Sequence, residues 1–200
     1  MAKFKILTGA KLQKWLKGHP GVAHRLAKAH ARVLRLRVRV RHPRPKAGLA
    51  KRALALAEHY NGLKERPAGS NITLFGRWFG MNGVAWCAIF VSYILSHTGR
   101  PFRYSYVPTI VSDAESHKNG LRVIAPSAVN AAIAAGHPVL ACYDWTHDGT
   151  ADHVEFVKRI VGGNVEAIGG NTGPADWSNG GEVANEVRPI SYVQRFVEVL

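Results

Sequence analysis

The stretch that decides the fold is His153-Val154-Glu155-Phe156-Val157-Lys158-Arg159-Ile160-Val161-Gly162-Gly163-Asn164-Val165-Glu166-Ala167-Ile168-Gly169-Gly170-Asn171. Two runs rich in Val, Ile and Phe flank Gly162-Gly163-Asn164, and such residues supply the positive φ angles of a tight hairpin turn. The reading is therefore two antiparallel strands, over 154–160 and 165–168, with 153 and 171 returning to the same end. Outward from the hairpin, 139–143 reads as a buried strand, and 187–190 and 196–200 as further strands. Upstream the period changes from two to 3.6. Residues 47–61 place Leu49, Ala53, Leu56, Ala57 and Tyr60 at helical spacing and stop at Gly62, and 67–71 reads as a loop. Residues 85–97 place Ile89, Phe90, Tyr93 and Ile94 on one face and end at Gly99 and Pro101, and 128–135 is a short Ala-rich helix. Helices first and an antiparallel sheet afterwards define an α+β class.

The chain has 200 residues, room for one domain with an appendage. Its longest apolar run, 84–95, is too short for a membrane-spanning helix, which needs about 20 residues. Met1-Ala2-Lys3 leads into no apolar segment of the signal-peptide kind. The net charge of +14 is unevenly placed: no carboxylate precedes Glu58, and from there on basic and acidic residues nearly balance. The boundary is drawn at 1–46, a basic N-terminal extension, and 47–200, the main domain. Within the extension, 10–34 reads as helix broken at Gly18-His19-Pro20-Gly21. Leu34-Arg35-Leu36-Arg37-Val38-Arg39-Val40-Arg41 alternates like a strand with one arginine face, ahead of a Pro43–Pro45 linker. Such a segment is either a solvated arm or a site for a polyanion: nucleic acid, an anionic membrane surface or an anionic wall polymer.

Two cysteines are too few for a disulfide framework. Cys142 lies mid-strand and reads as core. Cys87 stands at the predicted start of the 85–97 helix, where the macrodipole and free N–H groups favour a thiolate and can hold an oxyanion. A buried structural cysteine is the competing reading. His153, at a strand end, is a candidate base for that thiol. Asn171, at the returning end of the hairpin, can orient an imidazole, or can simply form a Gly-Gly-Asn turn. Asp144, His147, Asp148 and Asp152 share a loop but match no strict calcium spacing, so they read as a solvated loop. Asn71-Ile72-Thr73 fits a glycosylation acceptor by chance alone.

The run Asn71-Ile72-Thr73-Leu74-Phe75-Gly76-Arg77-Trp78-Phe79-Gly80-Met81-Asn82-Gly83-Val84-Ala85-Trp86-Cys87-Ala88-Ile89-Phe90-Val91-Ser92 resembles the CHAP family of cysteine- and histidine-dependent amidohydrolases and peptidases. Asp152-His153-Val154 and Gly170-Asn171-Thr172 follow in the order expected of that family, and the resemblance covers roughly 47–200. It implies a papain-like fold, N-terminal helices packed on a central antiparallel sheet, and cleavage of amide or peptide bonds in bacterial peptidoglycan. By motif, Cys87 corresponds to the nucleophile, His153 to the general base and Asn171 to the orienting group. Many relatives carry a glutamate two residues before that asparagine, where this chain has Gly169, so Glu155 and Glu166 stand as fallbacks for the third role. Asn71, Trp78 and Trp86 are expected along a substrate groove. No metal and no cofactor is expected for the chemistry.

The expected partners are peptidoglycan and, through residues 1–46, anionic wall polymers, with the chain acting as a monomer. The expected setting is a phage lysin that reaches the wall through a holin-type route or within a virion. Two other readings compete: a wall-binding relative without catalysis, and a nucleic-acid binder acting through the basic segment, where only Phe4 and Trp15 offer stacking rings.

Overall fold

The computed structural model describes residues 17–18, 48–173 and 179–200. The chain divides into two units between Lys46 and Ala47, and the second is described here. The helix and the arginine-faced strand expected over 10–41 lie outside the described residues, Lys17 and Gly18 apart.

The second unit opens with α1 (Leu49–His59), which buries Ala50, Ala53 and Ala57 at helical spacing. A short α2 (Leu74–Phe79) follows, capped by Thr73, whose hydroxyl accepts the Gly76 N–H at 3.0 Å. The central helix is α3 (Cys87–His97), with eight of its eleven residues buried. A helix apolar on nearly all sides belongs inside a domain. Next come α4 (Val107–Glu115), β1 (Leu121–Ile124), a 3₁₀ turn (Pro126–Ala128), α5 (Val129–Ala134) and β2 (Val139–Tyr143). The chain then runs through β3 (His153–Val161), β4 (Asn164–Thr172), β5 (Glu182–Pro189), a second 3₁₀ turn (Ile190–Tyr192) and β6 (Val193–Val199).

The six strands form one antiparallel sheet in the order β1-β6-β2-β3-β4-β5. The fold class is α+β, with the hairpin turning at Gly162-Gly163. Sequence reasoning missed α2, α4 and β1. At six residues α2 is too short to show a period. The signal for α4 is present in Val107, Ile110, Val111 and Ala114, with Pro108 in the first turn.

Alternation along the strands sorts side chains onto two faces. Leu140, Cys142, Val154, Phe156 and Ile168 join the core beneath α3. Val139, Ala141, Tyr143, Val157, Val165 and Ala167 form a second cluster with Val129 of α5. His153 and Glu155 alternate with Val154 and Phe156, so they share the face of Tyr143 and Val157. The Gly169-Gly170 pair is not a turn: it lies within β4 and lets neighbours approach closely. A Cβ on Gly170 would lie 2.5 Å from the Trp86 ring and 2.7 Å from Phe90 Cβ. Gly170 thus seats the first turn of α3 directly on β4.

Candidate active site

Cys87 is the first residue of α3 and is only 4% exposed, while residues 81–85 just before it are exposed. That loop is fixed from behind. Gly83 N–H donates to the Asn71 carbonyl at 3.1 Å, Met81 N–H to the Gly76 carbonyl at 2.9 Å, and Thr73 N–H to Asn82 Oδ1 at 3.1 Å. The helix closes with Phe90 N–H donating to the Trp86 carbonyl at 2.8 Å. The N–H groups of Cys87, Ala88 and Ile89 precede that bond and have no partner within the helix.

His153 begins β3 opposite Tyr143, is fully buried, and lies close enough to Cys87 for the thiol to act on its charge. Its Nε2 lies 3.3 Å from Glu155 Oε1. Nδ1 is buried and makes no hydrogen bond to another group among the described residues. Burial on its own pushes the imidazole pKa down. The interaction with Cys87, and then that with Glu155, outweigh it and lift the value to about 9. For Glu155 burial works upward, but His153, then Arg188, and the facing Tyr143 hydroxyl hold the carboxyl below its ordinary value.

The carboxylate on the imidazole is therefore Glu155, named in the sequence only as a fallback. Glu155 is paired across the hairpin with Gly169, and a Cβ there would lie 2.6 Å from Glu155 Cγ. The glycine that stands where a glutamate was expected is the space that admits a carboxylate from the neighbouring strand. Asn171 is brought to the same corner, fully buried near the end of β4 with φ 59°, but the group on His153 Nε2 is Glu155. Glu166 is remote from the site, ion-paired to Arg159 at 2.7 Å.

The residues expected along a groove separate. Trp86 is fully buried and stacked on Phe75 with centroids 5.6 Å apart, so it belongs to the core. Trp78 packs on Tyr93 and His97, in the half of α3 away from Cys87, beneath the Arg103 guanidinium. Asn71 acts through its backbone: besides its carbonyl bond to Gly83, its N–H donates to Glu65 Oε2 at 2.8 Å. Two residues beside the imidazole gave no signal in the sequence. Trp145 stacks on Tyr143 at 4.7 Å and lies 5.9 Å from the His153 ring. Arg188, 0% exposed, reaches Glu155 Oε1 at 3.4 Å.

A cavity of about 770 Å³ opens on the α2 side, lined by Lys64, Arg66, Ile72 and Arg77 among others. Glu65, the carboxylate in its wall, spends both oxygens on the Gly69 and Asn71 N–H groups. Among the described residues Arg66 and Arg77 pair with no carboxylate. In the 144–152 loop the carboxylates serve the loop itself: Asp144 accepts from Asp148 and Gly149, and Asp152 from Trp145. No group of three metal-ligating side chains occurs among the described residues, and no helix among them is long and apolar enough to cross a membrane.

What these residues can do chemically is nucleophilic acyl transfer: a thiol at a helix N-terminus, an imidazole against it, and a carboxylate fixing the ring. No protein-family model, curated protein or solved structure matches the chain.

Proposed function

We propose that the chain is a peptidoglycan hydrolase with a papain-like, CHAP-type catalytic domain over 47–200, cutting an amide or peptide bond of the stem peptide or cross-bridge. The observation that carries this reading is Cys87 at the N-terminus of a buried helix, electrostatically coupled to a buried His153 whose Nε2 lies 3.3 Å from Glu155 Oε1.

Cys87, as thiolate beside the His153 imidazolium, attacks the scissile carbonyl carbon. The oxyanion develops against the N–H groups at the start of α3. His153 gives its proton to the leaving amine as the C–N bond breaks, leaving a thioester on Cys87. A water then attacks the thioester, with His153 taking its proton, and the acid product departs as the thiol is restored. Glu155 holds the ring and offsets the imidazolium charge throughout. Stem peptides carry free carboxylates, and the cationic cavity bearing Arg66 and Arg77 suits them.

The test is digestion of purified cell walls by the wild type and by Cys87→Ser, with released amines and fragments followed by mass spectrometry. The wild type is expected to release new amino termini and the variant at least 10³-fold less. Equal release by both would overturn the thiol mechanism. Wall binding by the wild type without release would favour the binding-only reading.

A further inference from the structure

Arg188 is a fully buried guanidinium. It lies on β5 across from Val165 and is 0% exposed. A guanidinium taken out of water is retained only where its partners need it. Its Nη2 donates to Thr172 Oγ1 at 2.6 Å and lies 3.4 Å from Glu155 Oε1, the same oxygen that faces His153 Nε2. Nη1 lies 3.6 Å from Glu186, and the guanidinium carbon sits 5.6 Å from the centre of the Trp145 ring. Ala167 and Gly169, on the same sheet face, are small and leave the path from β5 to Glu155 open.

The groups facing Glu155 come from every neighbouring strand. They are Tyr143 from β2, His153 from β3, Thr172 from β4, and Arg188 with Glu186 from β5. Cys87 of α3 lies beyond the imidazole, and Cys142 beside Tyr143. Burial keeps the Tyr143 phenol protonated, and the Glu155 charge adds to that effect. Burial likewise raises the Glu186 carboxyl, against the pull of Arg188. Arg188 is thus the fixed cation of this pocket, next in line after Cys87, His153 and Glu155.

Resting on the Cys–His reading above, we propose that Arg188 is a positioning residue that keeps Glu155 ionised and aimed at His153, and so keeps the proton on the imidazole rather than on Cys87. Without the guanidinium, this buried carboxylate loses one of the two cations that hold it ionised, His153 being the other, and it takes up a proton more readily. A neutral Glu155 no longer offsets the buried imidazolium, and the proton returns to sulfur.

The experiment is iodoacetamide labelling of Cys87 in the full chain between pH 5 and 9, followed by peptide mass, which requires no wall substrate. Wild type is expected to label at pH 6 far faster than His153→Ala. Arg188→Met is expected to label at least tenfold more slowly at pH 6 and to converge with wild type toward pH 9, with Arg188→Lys restoring most of the low-pH rate. In a Glu155→Gln background, Arg188→Met is expected to slow labelling no further. A folded Arg188→Met with the wild-type profile would overturn the proposal, as would one slowed equally at every pH. Should Arg188→Met fail to fold, the Glu155→Gln/Arg188→Met pair leaves no lone buried charge and decides against Glu155→Gln alone: equal or faster labelling supports the proposal, and a further tenfold slowing overturns it. Wild type labelling no faster than His153→Ala at pH 6 would remove the Cys–His reading itself, an outcome distinct from the others.

Discussion

At the residue scale the third catalytic role separates two expectations. If Glu155 orients the imidazole, Glu155→Gln should lower kcat/KM for wall fragments about 100-fold, and it should also lower the thermal midpoint by breaking the buried pairing with Arg188. Asn171→Gly, which suits the backbone at φ 59°, should cost less than tenfold. Steady-state assays of both variants check this, and the reverse order would return the role to Asn171. The raised imidazole pKa has a stability consequence of definite sign. Because the folded value of about 9 exceeds the ordinary 6.5, the stabilisation is complete below pH 6.5 and is lost as pH rises through 9. The sequence made Cys87 and His153 legible because helix start and strand start are local signals. Glu155 was visible at i+2 on the same strand, but its rank depended on the empty space at Gly169, which only the strand register reveals. Arg188 was not legible: it sits one residue from Val187, which is 61% exposed, and no pattern in β5 marks it as buried.

At the element scale the site depends on how α3 meets the sheet. Gly170 is the contact point, and its neighbours Trp86 and Phe90 are both fully buried and have no room to retreat. Gly170→Ala should therefore destabilise the fold by about 1–3 kcal/mol through overpacking. It should also reduce activity beyond the loss of folded protein, because lifting α3 moves Cys87 from His153. Denaturant unfolding and active-site titration separate the two effects. The other element-scale expectation concerns the cavity beside α2. Arg66→Ala with Arg77→Ala should raise KM for carboxylate-bearing stem peptides about tenfold with kcat unchanged, and amidated peptides should lose the difference. Helix and strand order were readable in the sequence because their periods differ. The tertiary path that buries one tryptophan, Trp86, and leaves another, Trp145, beside the His153 ring was not.

At the scale of the whole molecule two charge regimes share one chain. All side-chain carboxylates lie at or beyond Glu58, so the proposed chemistry is assigned to the balanced part and the proposed long-range attraction to the basic one. Replacing Arg35, Arg37, Arg39 and Arg41 by Gln in the full chain should weaken sedimentation with purified walls at low salt. The difference should fade near 0.5 M salt, where the Debye length is about 4 Å. Turnover of a small soluble peptide should not change.

In the mechanism proposed here Cys87 and His153 share a proton. The most direct measurement is the titration of the His153 ring by NMR in wild type and in Cys87→Ala. A pKa of about 9 is expected in wild type and a lower one in the variant, since the interaction with Cys87 does most to lift it against burial. A ring that titrates at the same pH in both proteins would contradict it.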